Sequence, residues 1–212
     1  MTAPIYRIEP LQALRGLASF LILAKHALYE IDTISPIVFN YGNYDNYVIG
    51  IDIFFVLSGF IMVYTSWGKS GLEASKTFML RRIMRIVPIY WFYTILFALI
   101  ALYLPQVLGN AEFLVSDFFK SLFFIPYINS VGDMQPLLAV GWTLNYEMFF
   151  YIVFAVCLVL PVRLSLIALS VFLMALVLTD FFGMEGNLAD FYSRPIVLEF
   201  LIGSLIGYLY MK

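Results

Sequence analysis

The stretch LQALRGLASFLILAKHALYEI, residues 11–31, indicates the class of this protein. It has about the length that a helix needs to cross a bilayer, yet it contains Arg15 and His26, the only histidine of the chain. At about 100° per residue, the two side chains point within roughly 20° of each other and lie ~16 Å apart along the axis. Because ionisable groups inside a bilayer are costly and usually functional, this helix face is the first candidate site.

The composition predicts a membrane protein. Hydrophobic residues make up 63% of the 212 residues and charged residues only 12%, whereas an average soluble domain has about a quarter charged residues. The basic residues form one short cluster, which argues against nucleic-acid binding. The single cysteine, Cys157, excludes an intramolecular disulfide and a cysteine-based metal site, and we expect no metal.

We predict an all-α fold, a polytopic transmembrane helix bundle forming a single domain over residues 1–212. About six spans of sufficient apolar length lie at residues 11–31, 48–67, 87–104, 141–160, 164–182 and 196–211. A further apolar piece, residues 113–128, is interrupted by Asp117, Lys120 and Pro126. We therefore predict that this piece is interfacial or re-entrant and does not cross the membrane.

The distribution of charged residues predicts that the N-terminus is cytoplasmic. The loop after the second span is basic, with Lys69, Lys76, Arg81 and Arg82. The loop after the first span, residues 32–47, has two aspartates and no basic residue. Since lysine and arginine are concentrated in cytoplasmic loops, the basic loop is expected inside and the acidic one outside.

With this orientation, the polar residues separate into two layers. Arginines are expected at the inner side, at positions 15, 81, 82 and 85, and three acid–base groups are expected toward the outside: His26, Asp52 and Glu147. This arrangement suits an anionic ligand that enters from the cytoplasm. Simpler interpretations stay open: the arginines and Lys25 could snorkel to lipid phosphates, His26 could be a packing residue, Asp52 could cap its helix, and Glu199 could be merely interfacial.

Four blocks of the sequence resemble the bacterial integral-membrane acyltransferase-3 family. The family's arginine and histidine, separated by ten residues, match Arg15 and His26. The other three blocks are GIDIFFVLSGFIM from Gly50, FMLRRIMRIVPIYW with the family's Arg-x-x-Arg at Arg82 and Arg85, and GWTLNYEMFFY from Gly141 to Tyr151. The blocks occur in the family's order. Thr143 stands where the family often has serine.

The resemblance implies an enzyme that moves an acetyl group from acetyl-coenzyme A (acetyl-CoA) to a carbohydrate hydroxyl. Family members are usually longer, so the chain is expected to be an N-terminal portion of a longer family domain. The acidic loop and the segment FFIPYINS, residues 123–130, are most similar to the exopolysaccharide branch. The acceptor would be a carbohydrate or a lipid-linked glycan, the location the bacterial inner membrane, and polysaccharide-synthesis machinery a possible partner.

These implications assign roles to particular residues. His26 is the candidate general base, and Asp52 or Glu147 would orient its imidazole. A covalent acyl-histidine intermediate stays open as an alternative to direct transfer. Arg82 and Arg85, with Arg15, would bind the phosphates of the donor. The candidate residues for binding the substrate are Ser58, Trp142, Asn145 and Tyr146. Two rival functions stay open: a proton-coupled transporter or flippase, and a non-catalytic fragment or assembly subunit.

Overall fold

The computed structural model describes residues 9–34, 49–104, 106, 112–181 and 187–212. Within these residues the regular secondary structure is helical, without strands. Most of the acidic loop predicted to be extracellular lies outside the described residues. The eight α-helices of the described part are α1 (Glu9–Ile34), α2 (Ile49–Ser66), α3 (Leu72–Tyr103), α4 (Val115–Leu122), α5 (Trp142–Cys157), α6 (Val162–Phe181), α7 (Asn187–Tyr192) and α8 (Val197–Met211).

The helix α3 differs most from its prediction, because it begins at Leu72 and not near Val87. The prediction followed the apolar run, but the preceding residues LEASKTFMLRRIMRI are mostly good helix formers and simply extend the helix. Pro88 lies inside α3 and does not end it, as is common in membrane helices. The other five predicted spans match α1, α2, α5, α6 and α8 closely.

The structure confirms a polytopic helical membrane protein. Five segments are long and apolar enough to cross a bilayer: Ile49–Ser66, Leu72–Tyr103, Ala139–Cys157, Val162–Thr179 and Leu188–Met211. Although α1 has 26 residues, it is not among them, since Arg15, Lys25 and His26 interrupt its apolar surface. The helix α4 has only 8 residues, about 12 Å, and is too short to cross.

The chain divides into two compact units. The first unit contains Met1–Trp67 and Leu198–Lys212, and the second unit contains Gly68–Val197. The single domain expected from the sequence stays a prediction.

In the first unit, α2 and α8 are in backbone contact through glycines. A Cβ atom added to Gly203 would lie 1.9 Å from the carbonyl oxygen of Val56, and one added to Gly59 would lie 2.1 Å from that of Phe200. The ring of Phe55 also stacks on that of Phe200, with centroids 4.7 Å apart. Small residues permit such close approach of membrane helices.

The helices α2 and α8 run parallel, because their contacts advance along both helices in the same direction. Phe55 contacts Phe200 near the start of each helix, and Tyr64 contacts Tyr210 near the end, with centroids 6.2 Å apart. Parallel helices require an odd number of crossings between them. The three candidate spans α3, α5 and α6 meet this requirement.

In the second unit, α3 and α5 run antiparallel. The Gly71 amide donates to the Leu158 carbonyl over 3.1 Å, and the Ser75 hydroxyl donates to the Ala155 carbonyl over 2.6 Å. Further along α3, Tyr90 lies against Gly141. The end of α3 and the start of α5 are therefore on the same side, as expected if the segment between them does not cross the membrane.

A hydrogen-bonded cluster holds the segment around α4. The hydroxyls of Ser121 and Tyr127 are 2.9 Å apart, and the Ser121 hydroxyl also accepts a bond from the Leu137 amide. Burial raises the pKa of Tyr127 above its ordinary value. The Trp91 indole of α3 donates to the Leu122 carbonyl over 2.8 Å and ties α4 to α3.

We expect Gly203→Ala to destabilise the protein by about 1–3 kcal/mol, because the added methyl group must push α8 away from α2. The measurement is thermal unfolding in detergent. Gly16→Ala is the matched control, since a Cβ atom at Gly16 meets no atom within 4 Å. Equal melting temperatures for the two variants would contradict the glycine-mediated contact.

Candidate functional site

The helix α1 carries Arg15 and His26 on one continuous helix from Glu9 to Ile34. Their spacing along this helix therefore places the two side chains on one face of α1. Arg15 is half-buried and His26 is exposed. An exposed imidazole can be reached by a substrate, so this placement is compatible with the proposed base.

The first turn of α2 lies against the middle of α1. A Cβ atom added to Gly50 would lie 2.9 Å from the Ala18 carbonyl oxygen and 3.2 Å from the side chain of Ile22. His26 follows Ile22 by one helical turn, about 6 Å. Asp52 is half-buried in this first turn of α2. Since α2 begins at Ile49, Asp52 lies within the helix and is not its N-cap residue.

Glu199, for which the sequence suggested only an interfacial position, is a further candidate. Its carboxyl group is in hydrogen-bonding contact with that of Asp52. The Oε2 atom of Glu199 is buried without a hydrogen-bond partner among the described residues. The contact depends on the parallel pairing of α2 and α8, which brings together the first turns of both helices.

Ser58, predicted to bind the substrate, is half-buried on α2 next to Gly59. Its role stays a prediction.

In the second unit, Arg82, Tyr151 and Glu147 form one buried cluster. The guanidinium carbon of Arg82 lies 5.2 Å from the ring centroid of Phe78 and 5.1 Å from that of Tyr151. The Tyr151 hydroxyl donates a hydrogen bond to Oε1 of Glu147. The exposed fractions are 9% for Arg82, 2% for Tyr151 and 5% for Glu147. A cation so placed is attracted by the electron-rich faces of both rings.

This cluster corrects the two-layer arrangement expected from the sequence. Arg82 and Glu147 were expected at opposite sides of the membrane, but both contact Tyr151. The expectation failed because α3 begins earlier than predicted, so that Arg82 lies about 15 Å inside the helix. The antiparallel α5 then presents Glu147 opposite this position.

Arg82 and Arg85 were both expected to bind the phosphates of the donor. In the structure Arg82 is buried and Arg85 is exposed. Residues three apart differ by about 60° around a helix, and the edge of the buried stripe passes between these two. Every fourth residue forms this stripe of α3, which contains Phe78, Arg82, Ile86, Tyr90, Thr94 and Ala98.

The three remaining candidates lie at the start of α5. Tyr146 is fully buried, donates its hydroxyl proton to the Phe191 carbonyl and stacks on the Phe191 ring at 4.2 Å. Its predicted contact with substrate stays a prediction. Trp142 is half-buried with its ring 5.9 Å from that of Tyr146. Asn145 is 2% exposed, and its Oδ1 has no partner among the described residues.

Among the described residues, no group of three or more histidine, cysteine and acidic side chains is placed to hold a metal ion. Cys157 is buried in α5.

We expect Asp52→Ala and Glu199→Ala to be non-additive, with a coupling of about 0.5–3 kcal/mol in the free energy of unfolding, since their carboxyl groups are in contact. A double-mutant cycle in detergent measures this energy. The control combines Asp52→Ala with Glu73→Ala, because the Glu73 side chain is 87% exposed and pairs with Lys76. Additive effects for Asp52 and Glu199 would refute the contact.

Comparison with known proteins gives a consistent result over most of the chain. The acyltransferase domain family matches residues 8–212. The exopolysaccharide production protein ExoZ of Rhizobium meliloti (strain 1021) is 38% identical over 165 residues, which cover 77% of this chain and 51% of that protein. The peptidoglycan O-acetyltransferase OatA of Listeria monocytogenes serovar 1/2a (strain ATCC BAA-679 / EGD-e) is 27% identical over 157 residues, covering 69% of this chain and 23% of that protein.

The chain thus spans about half the length of ExoZ and about a quarter of OatA. No solved structure matches the chain.

Proposed function

Because the chain belongs to the acyltransferase-3 family, we propose that it serves as a membrane O-acyltransferase that moves an acetyl group from acetyl-CoA to a carbohydrate hydroxyl. The family match over residues 8–212 supports acyl transfer from an activated donor. The names of ExoZ and OatA support a surface polysaccharide or another glycan as the acceptor.

The observation that carries this proposal is the uninterrupted helix α1 with Arg15 and His26 on one face. Their separation of about 16 Å is of the order of the pantetheine arm of coenzyme A. A donor whose phosphates bind near Arg15 could therefore present its thioester close to His26. The imidazole of His26 is exposed, as the proposed contact with both the thioester and an acceptor hydroxyl requires.

The proposed reaction requires one base and no redox step. The acceptor oxygen forms a bond to the thioester carbonyl carbon while its proton passes to the neutral imidazole of His26. The resulting tetrahedral intermediate collapses, the carbon–sulfur bond breaks, and the coenzyme thiolate takes the proton from the imidazolium. Asp52, on the neighbouring helix α2, is proposed to stabilise the imidazolium.

Arg85, Arg82 and Arg15 are proposed to bind the donor phosphates. Guanidinium groups bind phosphate oxygens in pairs and stay charged. Arg85 is exposed and can reach a ligand directly, whereas Arg82 is held between two rings. Arg85 is thus the proposed first contact, and Arg82 a buried charge that adds to the attraction.

We place the protein in a bacterial inner membrane with its N-terminus in the cytoplasm, where acetyl-CoA is made. The basic residues between α2 and α3 support this orientation. The proposed acceptor is an exopolysaccharide unit or a lipid-linked glycan, supplied by a polysaccharide-synthesis machinery.

A proton-coupled transporter or flippase is the second candidate. The contact of Asp52 with Glu199 favours it, since paired acidic groups in membrane helices often relay protons. Covalent labelling separates the two functions, because a transporter does not move an acetyl group onto its cargo.

His26→Ala in the full-length gene product should lower acetyl transfer about 10²–10⁴-fold, because the general base is lost. The measurement is radioactivity incorporated into glycan when membranes are incubated with labelled acetyl-CoA. Lys25→Ala is the matched control, since it removes a cation from the neighbouring position, about 100° around α1, and should leave transfer unchanged. Normal labelling by His26→Ala would refute the catalytic role, and no labelling by the unmodified protein would refute the proposed enzyme.

Arg85→Ala should raise the KM for acetyl-CoA about tenfold or more, because it removes a charge-assisted bond to phosphate. The KM for the acceptor should change little. Arg163→Ala, which removes an exposed cation near the start of α6, is the control. An unchanged donor KM for Arg85→Ala would indicate that this arginine only contacts lipid phosphates.

A further inference from the structure

Tyr151 makes two different interactions at the centre of the buried cluster. Its hydroxyl donates to the Glu147 carboxylate, one turn earlier on the same helix α5. Its ring face lies 5.1 Å from the guanidinium of Arg82 on α3. One phenol therefore connects an acid–base candidate with a cation proposed to attract the donor.

These two interactions strengthen each other. A phenol that donates its proton to a carboxylate gains negative charge density in its ring, and hydrogen bonds in a low-dielectric interior are polarised in this way. A more negative ring attracts a guanidinium more strongly. Because all three side chains are buried, water does not screen the effect. The charge of Glu147 thus influences how firmly Arg82 is held.

Comparison with Phe78 indicates the role of the Tyr151 hydroxyl in the cluster. The Phe78 ring covers Arg82 at nearly the same distance, 5.2 Å, without a hydroxyl group. A second phenylalanine would be sufficient if the cluster only had to cover the guanidinium with rings. The hydroxyl is required only for its bond to Glu147.

We propose that Tyr151 is a positioning residue for acyl transfer, which holds the Glu147 carboxylate in one orientation and couples it to Arg82. This inference rests on the proposed function. In a membrane interior a carboxylate without fixed partners would reorient or take up a proton. Tyr151 instead fixes the Glu147 carboxylate through its hydroxyl and holds the Arg82 guanidinium over its ring.

Three variants of the full-length protein separate the two interactions. Tyr151→Phe keeps the ring and removes the hydroxyl, so kcat should fall about tenfold, while the donor KM should rise at most about twofold because the less polarised ring still covers Arg82. Phe78→Leu keeps the hydroxyl and removes one ring, so the donor KM should rise severalfold at nearly constant kcat. Tyr151→Leu removes both interactions and should change both constants.

The matched control is Phe154→Leu. Phe154 packs on the same Phe78 ring, with centroids 5.0 Å apart. It takes part neither in the hydrogen bond to Glu147 nor in the cation–π contacts of Arg82. It should leave kcat and the donor KM unchanged. Size-exclusion profiles and thermal unfolding in detergent verify that each variant is folded.

A second measurement tests the coupling directly. In a Glu147→Gln background, Tyr151→Phe should lower kcat much less than it does in the unmodified protein, because the charged acceptor is already absent. Unchanged kinetic constants for Tyr151→Phe, while the unmodified protein transfers acetyl groups, would overturn this inference alone. Absence of transfer by the unmodified protein would overturn the proposed function and this inference with it.

Discussion

A charged side chain within a membrane protein needs its partners inside the protein, and Arg82 finds them in two aromatic rings. Because one ring belongs to α3 and the other to α5, burial of this cation favours one antiparallel register of the two helices. The hydrogen bonds of Gly71 and Ser75 follow the same register toward the end of α5, and the contact of Tyr90 with Gly141 follows it toward the start. The chemistry proposed for the second unit thus uses a charge on which its packing also depends.

The geometry of the first unit depends on two glycines, which have no side chain. Gly59 and Gly203 allow the backbones of α2 and α8 to touch, and the first turns of the two helices therefore meet. Their acidic residues, Asp52 and Glu199, are then forced into contact. Two acidic groups in contact next to the helix carrying His26 are compatible with acyl transfer and with proton movement. Covalent labelling of the glycan from acetyl-CoA therefore distinguishes an acyltransferase from a transporter.

The positions of the helices could be predicted from the sequence because the bilayer sets the length of an apolar run. The same rule misplaced the start of α3, since it treats arginine as the end of a span, whereas Arg82 lies well inside its helix. The identities of Arg82 and Glu147 followed from family motifs. Their connection through Tyr151 and the contact of Asp52 with Glu199 did not, because a pattern along one helix does not specify which faces of different helices meet.

The length of α3 has a mechanical consequence. A helix of 32 residues is about 48 Å long, whereas the hydrocarbon core of a bilayer is ~30 Å thick. Unless it is strongly tilted, α3 extends into water, and the exposed ion pair of Lys76 with Glu73 marks its polar first turns. The helix is continuous from these first turns to Arg82. A partner that bound the projecting end and displaced it would therefore also shift the position of the guanidinium.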